Sequence, residues 1–197
     1  MTKHLPKLIL ASRSPRRREL LAAAGYDFEV FPPSDDAESA ACSDETPPEL
    51  VVRLARQKAA DVASRIPTEP SARLILGCDT VAECAGKILG KPADREDAKV
   101  MLALLSGQEH RVYSGLCLWP LPDGEPAARV AVTRLRMDPL APELLDAYIA
   151  GGQWQGKAGA FGYQDGLDWV HVIEGSESNV VGLPMELLAE MLEQFTG

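Results

Sequence analysis

At 197 residues, with 46% hydrophobic and 25% charged side chains, the chain has the balance of a globular protein that buries a real core in one large or two small domains. Twenty Lys and Arg against 29 Asp and Glu give a net charge of −9, which opposes nucleic-acid binding, because that affinity is built from many cation–phosphate contacts. No apolar stretch approaches the roughly 20 residues of a membrane span, and the opening Met1-Thr2-Lys3-His4-Leu5-Pro6 leads into an apolar run too short for a signal peptide, so a cytoplasmic location is expected.

The first element is an apolar strand over residues 8–11, which passes through Ser12-Arg13-Ser14 into a helix predicted over 15–24. Ser14 suits the cap, Pro15 suits the first helical position, and Gly25 stops the apolar run. The free N–H groups of such a helix point into the turn. Arg13, Arg16 and Arg17 add forked donors there, so the segment reads as a local phosphate grip or, more plainly, as a solvated arginine-rich first turn. On an acidic chain, one local cationic patch suits a small polyanion such as a nucleotide.

After an acidic, alanine-rich stretch over 34–49, Thr46-Pro47-Pro48-Glu49 opens a helix expected over 47–64 with a capping box. Leu50, Val51, Leu54, Ala55 and Val62 form its apolar stripe, with Arg53, Arg56 and Lys58 read as lying off it. A strand over 74–77 ends at Asp79 and Thr80, where open α/β sheets present reactive groups. A carboxylate there can hold a divalent cation or take a proton from an attacking water; it can also simply cap the next turn. Next comes a hairpin-like turn and Gly90-Lys91-Pro92, without the spacing of a Walker loop. Lys91 can reach a phosphate or stand in solvent.

A helix over 94–105 is capped by Asp94 and closed by Gly107. The break at 105–107 suggests two lobes. Strands follow over 111–118 and 127–136 around the turn-rich 120–126, then a helix over 142–150 and a long glycine-rich loop over 151–166. In that loop the Gln164 amide offers both a donor and an acceptor, as the imide face of uracil or thymine requires. A strand over 169–173 and a helix over 184–195 complete an alternating α/β order. The apolar face Met185, Leu187, Leu188, Met191 and Leu192 packs on the core or on a second subunit. Cys42, Cys78, Cys84 and Cys117 lack metal-finger spacing and read as free thiols, and His110 and His171 as structural or solvent-facing.

Taken in order, several blocks resemble the Maf family of nucleoside triphosphate pyrophosphatases over nearly the whole chain. They are Leu10-Ala11-Ser12 with Ser14-Pro15-Arg16-Arg17, Arg53-Leu54-Ala55 with Lys58-Ala59, Asp79-Thr80-Val81 and Gly90-Lys91-Pro92. Further along come Leu105-Ser106-Gly107 with His110, Val112-Tyr113-Ser114-Gly115, Lys157-Ala158-Gly159 with Gly162 and Gln164, and Gly175-Ser176 with Asn179-Val180-Val181-Gly182-Leu183-Pro184. The resemblance implies a single Maf-like domain over 1–197. Its fold would be a two-lobed mixed α/β fold with a central cleft, similar to inosine triphosphate pyrophosphatases, and it is compatible with a homodimer.

It also implies that water attacks the α-phosphate of a bound nucleoside triphosphate with the help of a divalent cation, Mg²⁺ or Mn²⁺. By matching positions, Asp79 would be the general base or metal carrier. Ser12, Arg16, Arg17, Lys58 and Lys91 would grip phosphates. Arg16, Thr80 and Gln164 match the pattern of the branch acting on dTTP and UTP, against a branch acting on 7-methyl-GTP. The chain departs from the family at the usual Asp-Glu pair, where Asp36 or Glu38 would substitute, and at Gln164-Asp165-Gly166, where an extra carboxylate follows the selectivity glutamine. The alternative from another class is a non-catalytic nucleotide-binding regulator linked to cell division.

Overall fold

The computed structural model describes residues 6–38, 45–67 and 71–195. Its elements in chain order are β1 (Lys7–Ala11), α1 (Pro15–Ala23), β2 (Phe28–Val30), α2 (Pro47–Arg65), β3 (Arg73–Cys84), β4 (Lys87–Leu89), α3 (Arg95–Leu105), β5 (Glu109–Leu121), β6 (Ala127–Met137), α4 (Pro142–Gly151), β7 (Val170–Glu174), α5 (Glu177–Val181) and α6 (Met185–Glu193). The strands form one mixed seven-stranded sheet in the order β2-β1-β3-β5-β6-β7, with β4 on β3. The mixed α/β class expected from the alternating sequence is therefore the observed one.

The chain divides into two compact units. One holds the described residues up to Asp79, Ser114–Ala131 and those from Gly182 onward; the other holds Thr80–Tyr113 and Val132–Val181. Residues 105–107, where the sequence suggested a lobe break, fall inside the second unit at the end of α3. β3, β5 and β6 each begin in one unit and end in the other, so three of the divisions fall within strands, where no turn residue announces them; the fourth falls between Val181, at the end of α5, and Gly182.

In the first unit β1 pairs in parallel with β2 and with β3, from Lys7 opposite Arg73 to Ala11 opposite Gly77. Parallel strands are covered on both faces and read as continuous apolar runs. Leu8, Leu10, Leu74 and Leu76 face Leu21 of α1 and Leu187, Leu188, Met191 and Leu192 of α6, so the closing helix packs on the core of its own chain. Ile9, Ala11 and Ile75 face Ala55, Ala59 and Val62 of α2 on the other side. The helix starts follow the capping expectations: Ser14 Oγ accepts from the Arg17 N–H at 3.4 Å, and the Thr46 N–H donates to Glu49 Oε2 at 2.9 Å.

α2 lies directly on β3 and β5 because Gly77 and Gly115 have no side chain. A Cβ on Gly77 would collide with the Ala55 carbonyl oxygen and lie 3.1 Å from the Ala59 Cβ; one on Gly115 would collide with the Val51 carbonyl. Beyond Ala11 β3 loses its parallel partner, and from Ala82 to Cys84 it pairs antiparallel with β4. Asp79 therefore sits inside a strand longer than expected, yet just past the carboxyl edge of the β1 pairing. β4 forms the second arm of the expected hairpin-like turn, whereas β2 escaped the sequence because three residues show no periodicity.

The second unit is built around Leu102, Leu105, Val112, Leu135, Met137, Trp154, Phe161 and Trp169, with α3, α4, β6 and β7 contributing. The region 151–166 is ordered by two 3-10 turns, Ala158–Ala160 and Tyr163–Asp165, and by buried Trp154 and Phe161. The described cysteines Cys78, Cys84 and Cys117 are buried free thiols, with Cys117 pushed up to about 11 by burial; Cys42 and His4 lie outside the described residues.

Gly77→Ala is expected to lower stability by about 3 kcal/mol, because the added methyl has only helix backbone to displace. Urea titration of wild type and variant measures it, and a change under 1 kcal/mol would show that α2 can shift.

Candidate active site

The first unit brings together Ser12, Arg17, Lys58, Asp79 and the backbone at Cys78 and Gly182. Lys58 Nζ donates to Asp79 Oδ1 at 2.6 Å, with side-chain exposures of 7% and 15%. The sequence placed Lys58 off the apolar stripe of α2, but the structure buries it. Leu54, Lys58 and Val62 are four residues apart and share one face, so the inward lysine was legible in the spacing. Removing one member of so buried a pair strands a charge.

Arg17, expected to grip phosphate, is held here by groups of the protein. Its guanidinium is buried, donating from Nε to the Gly182 carbonyl at 2.8 Å and from Nη1 to the Cys78 carbonyl at 2.8 Å and to Ser12 Oγ at 3.2 Å. Cys78 Sγ donates to the same Gly182 carbonyl at 3.3 Å. Arg17 thus brackets α1, the residue before Asp79 and the segment entering α6. Its inward position follows from α1: Arg17 and Leu21, one turn apart, are that helix's buried residues. Ser12 Oγ also accepts from the Ser14 N–H at 3.2 Å, and a hydroxyl that accepts twice still has its hydrogen to donate.

Arg16 is half-buried in the first turn of α1. Arg13 leaves that cluster: it pairs with Asp35 and donates to the Pro33 carbonyl at 2.9 Å. Asp61 of α2 holds the neighbouring segment, accepting from the Ser34 N–H at 2.9 Å and the Ser34 hydroxyl at 2.6 Å, and these bonds with Arg65 keep its carboxyl below the usual range despite burial. Asp36 is exposed in the 3-10 turn Asp36–Glu38, and its carbonyl accepts from Gln57 Nε2 at 3.4 Å, which ties the turn to α2. The side chain of Glu38 lies outside what is described.

No group of three or more His, Cys, Asp or Glu side chains placed to hold a metal ion occurs among the described residues. Asp79 offers one carboxylate. A magnesium ion that arrives on a triphosphate needs only one or two protein carboxylates, since phosphates and water complete its shell. Asp79 suits a cation of that kind, carried by substrate.

In the second unit, Thr80 is half-buried in β3 and Lys91 is exposed. The Gly159 N–H donates to the Gly90 carbonyl at 3.0 Å, joining the glycine-rich segment to the Gly90-Lys91-Pro92 turn. Gln164 is exposed within the turn Tyr163–Asp165. Lys157 and Asp165 form an ion pair that the sequence did not single out, although Asp165 itself stood out as an extra carboxylate.

Phe161 packs edge-on against His110, ring centroids 5.4 Å apart. Burial pulls the His110 pKa from 6.5 down to about 4. Above pH 6.5 this ring is neutral folded or unfolded. Between 6.5 and 4 only the unfolded chain takes the proton, so stability falls as pH falls through that window, by about 3 kcal/mol in full. Thermal unfolding from pH 7 to 4 is expected to show a smaller loss for His110→Phe than for wild type, and parallel profiles would remove His110 as the cause. His171, exposed, faces Asp138 Oδ2 at 2.9 Å, in keeping with a surface role.

A family model described as Maf-like protein matches residues 7–195. A dTTP/UTP pyrophosphatase of Rhodopirellula baltica is 57% identical over 95% of this chain and 82% of its own. Proteins of the same name from Carboxydothermus hydrogenoformans and Thermococcus gammatolerans are 42% and 43% identical, over 96% and 94% of this chain and 98% and 95% of theirs. Among solved structures, the Staphylococcus aureus Ham1 protein aligns with a TM-score of 0.54 at 14% identity, covering 95% of this chain and 98% of that one. A HAM1 protein from Coxiella burnetii aligns at 0.50 and 16%, covering 96% and 100%. At those identities the likeness is one of fold. The matched motifs, the family model across nearly every residue and relatives above 40% identity agree that this chain belongs to the Maf family.

Proposed function

We propose that the protein hydrolyses dTTP and UTP, together with modified pyrimidine nucleotides such as 5-methyl-UTP and pseudo-UTP, to the nucleoside monophosphate and pyrophosphate. The observation that carries this reading is the Lys58–Asp79 pair just past the β1 pairing edge of β3: a carboxylate held in one orientation by a buried ammonium. The names of the relatives support the substrate choice. So does the set Arg16, Thr80 and Gln164, which matches the pattern of the dTTP/UTP branch.

In this reaction the oxygen of a water bonds to the α-phosphorus while the bond from that phosphorus to the α,β-bridging oxygen breaks. The electron pair leaves on pyrophosphate, and Asp79 takes the water proton. Lys58 engages Oδ1, so Oδ2 is the oxygen that meets the water. Ser12, Arg16 and Lys91 bind phosphate oxygens and offset the charge that grows on the leaving group. Arg17 positions the Cys78–Asp79 segment from behind. A Mg²⁺ or Mn²⁺ ion bound with the triphosphate, which Asp79 with Asp36 or Glu38 would hold, would supply further charge stabilisation. Gln164 reads the base edge. Such an activity clears non-standard nucleotides from the cytoplasmic pool.

Pyrophosphate release across dTTP, UTP, 5-methyl-UTP, CTP, GTP and 7-methyl-GTP tests the reading, with Asp79→Asn and Gln164→Glu alongside. Release from dTTP and UTP is expected to dominate. It should fall by at least about 1,000-fold in Asp79→Asn, whereas Gln164→Glu should change the order of substrates more than the summed rate. Preference for 7-methyl-GTP would overturn the base assignment. No release from any triphosphate would leave a nucleotide-binding regulator as the better description.

A further inference from the structure

The turn that carries Gln164 is tied down on both sides. On one side, the Tyr163 hydroxyl donates to Glu177 Oε1 at 2.9 Å. On the other, Lys157 Nζ donates to Asp165 Oδ2, and the two side chains are only 11% and 18% exposed. The backbone closes the same turn, the Asp165 N–H donating to the Gly162 carbonyl at 3.0 Å. The ion pair lies over Gly162, where a Cβ would meet both Lys157 Nζ and Asp165 Oδ2, so glycine leaves room for the pair as it stands. The base of the loop is fixed through the Gly159 N–H on the Gly90 carbonyl.

We propose that the Lys157–Asp165 pair is the positioning device for base selection, holding the turn on which Gln164 is presented while neither side chain touches the base. This inference rests on Gln164 being the base-reading group. A carboxamide carries a donor and an acceptor and can pair with more than one base edge. Discrimination by such a group depends on where its backbone stands relative to the base, so a loosened turn lets Gln164 follow cytosine as readily as uracil. The pair also explains how a carboxylate is tolerated next to the selectivity glutamine of an enzyme for polyanions: its charge is matched by a lysine packed against it. Lys157 is thereby a positioning residue and not a further phosphate ligand.

The test uses Lys157→Met, Asp165→Asn and the double variant, with kcat and KM for dTTP, UTP and CTP and thermal unfolding of each protein. Each single variant strands one charge and is expected to unfold at lower temperature, whereas the double variant removes both and recovers most of that loss. The dTTP-to-CTP ratio of kcat/KM should fall about tenfold in all three, chiefly through KM, and stay low in the double variant after stability has returned. A ratio that recovers with stability, or a loss shared equally by every nucleotide, would reduce the pair to a structural staple and overturn the proposal. Gln164→Glu in the same assay separates the two layers. If it changes the substrate order while the pair variants do not, only the positioning role fails; if it leaves the order unchanged, the base-reading assignment fails and the positioning role with it.

Discussion

The contact of α2 with β3 over Gly77 is the constraint on which the first unit depends. Because no side chain stands between the Ala55 carbonyl and the strand, the helix lies at backbone contact, and Lys58, one turn after Leu54, reaches Asp79 at 2.6 Å. Gly115 permits the same approach on β5. Two glycines thus set the height of the helix, the helix sets the lysine, and the lysine sets the carboxylate. Arg17 fixes the same carboxylate's neighbour from the opposite side by bonding the Cys78 carbonyl.

The distribution of cations follows from the net charge of −9. On so acidic a chain many basic side chains find carboxylates within the fold: Arg13 meets Asp35, Arg53 meets Glu45 at 2.7 Å, Arg65 meets Asp61 and Lys157 meets Asp165. The exposed ones, such as Arg13–Asp35, add little stability. The consequence of the pairs here is spatial, because Arg13 ties the segment around 33–36 to the turn before α1 and Lys157 holds the turn at 163–165. The arginine-rich opening therefore divides its tasks: Arg13 is a tether, Arg17 a bracket, and Arg16 is the member to which the substrate role is proposed.

Much of this was legible in the sequence. The caps at Ser14, Thr46 and Asp94 and the continuous apolar runs of β1 and β3 are local signals, and each element they predicted formed close to its expected start, although β3 runs on to Cys84. What escaped was long-range. Nothing near Arg17 names Gly182, 165 residues away, as its acceptor, and nothing in β3 marks Asp79 as the last residue of one unit. Lys58 is a different case: its charge reads as an outward position, yet its spacing from Leu54 and Val62 puts it on the buried face, where Asp79 holds it. Asp165 was conspicuous, but its partner lies eight positions back across a loop rich in glycine, where no periodicity links them.

The proposed attack at the α-phosphorus is tested most directly by running the hydrolysis of dTTP in water enriched in heavy oxygen and weighing both products. Attack at the α-phosphorus places the label in the thymidine monophosphate and leaves pyrophosphate unlabelled. Label in pyrophosphate, or the appearance of diphosphate and orthophosphate in place of these products, would contradict the assignment of the bond that breaks.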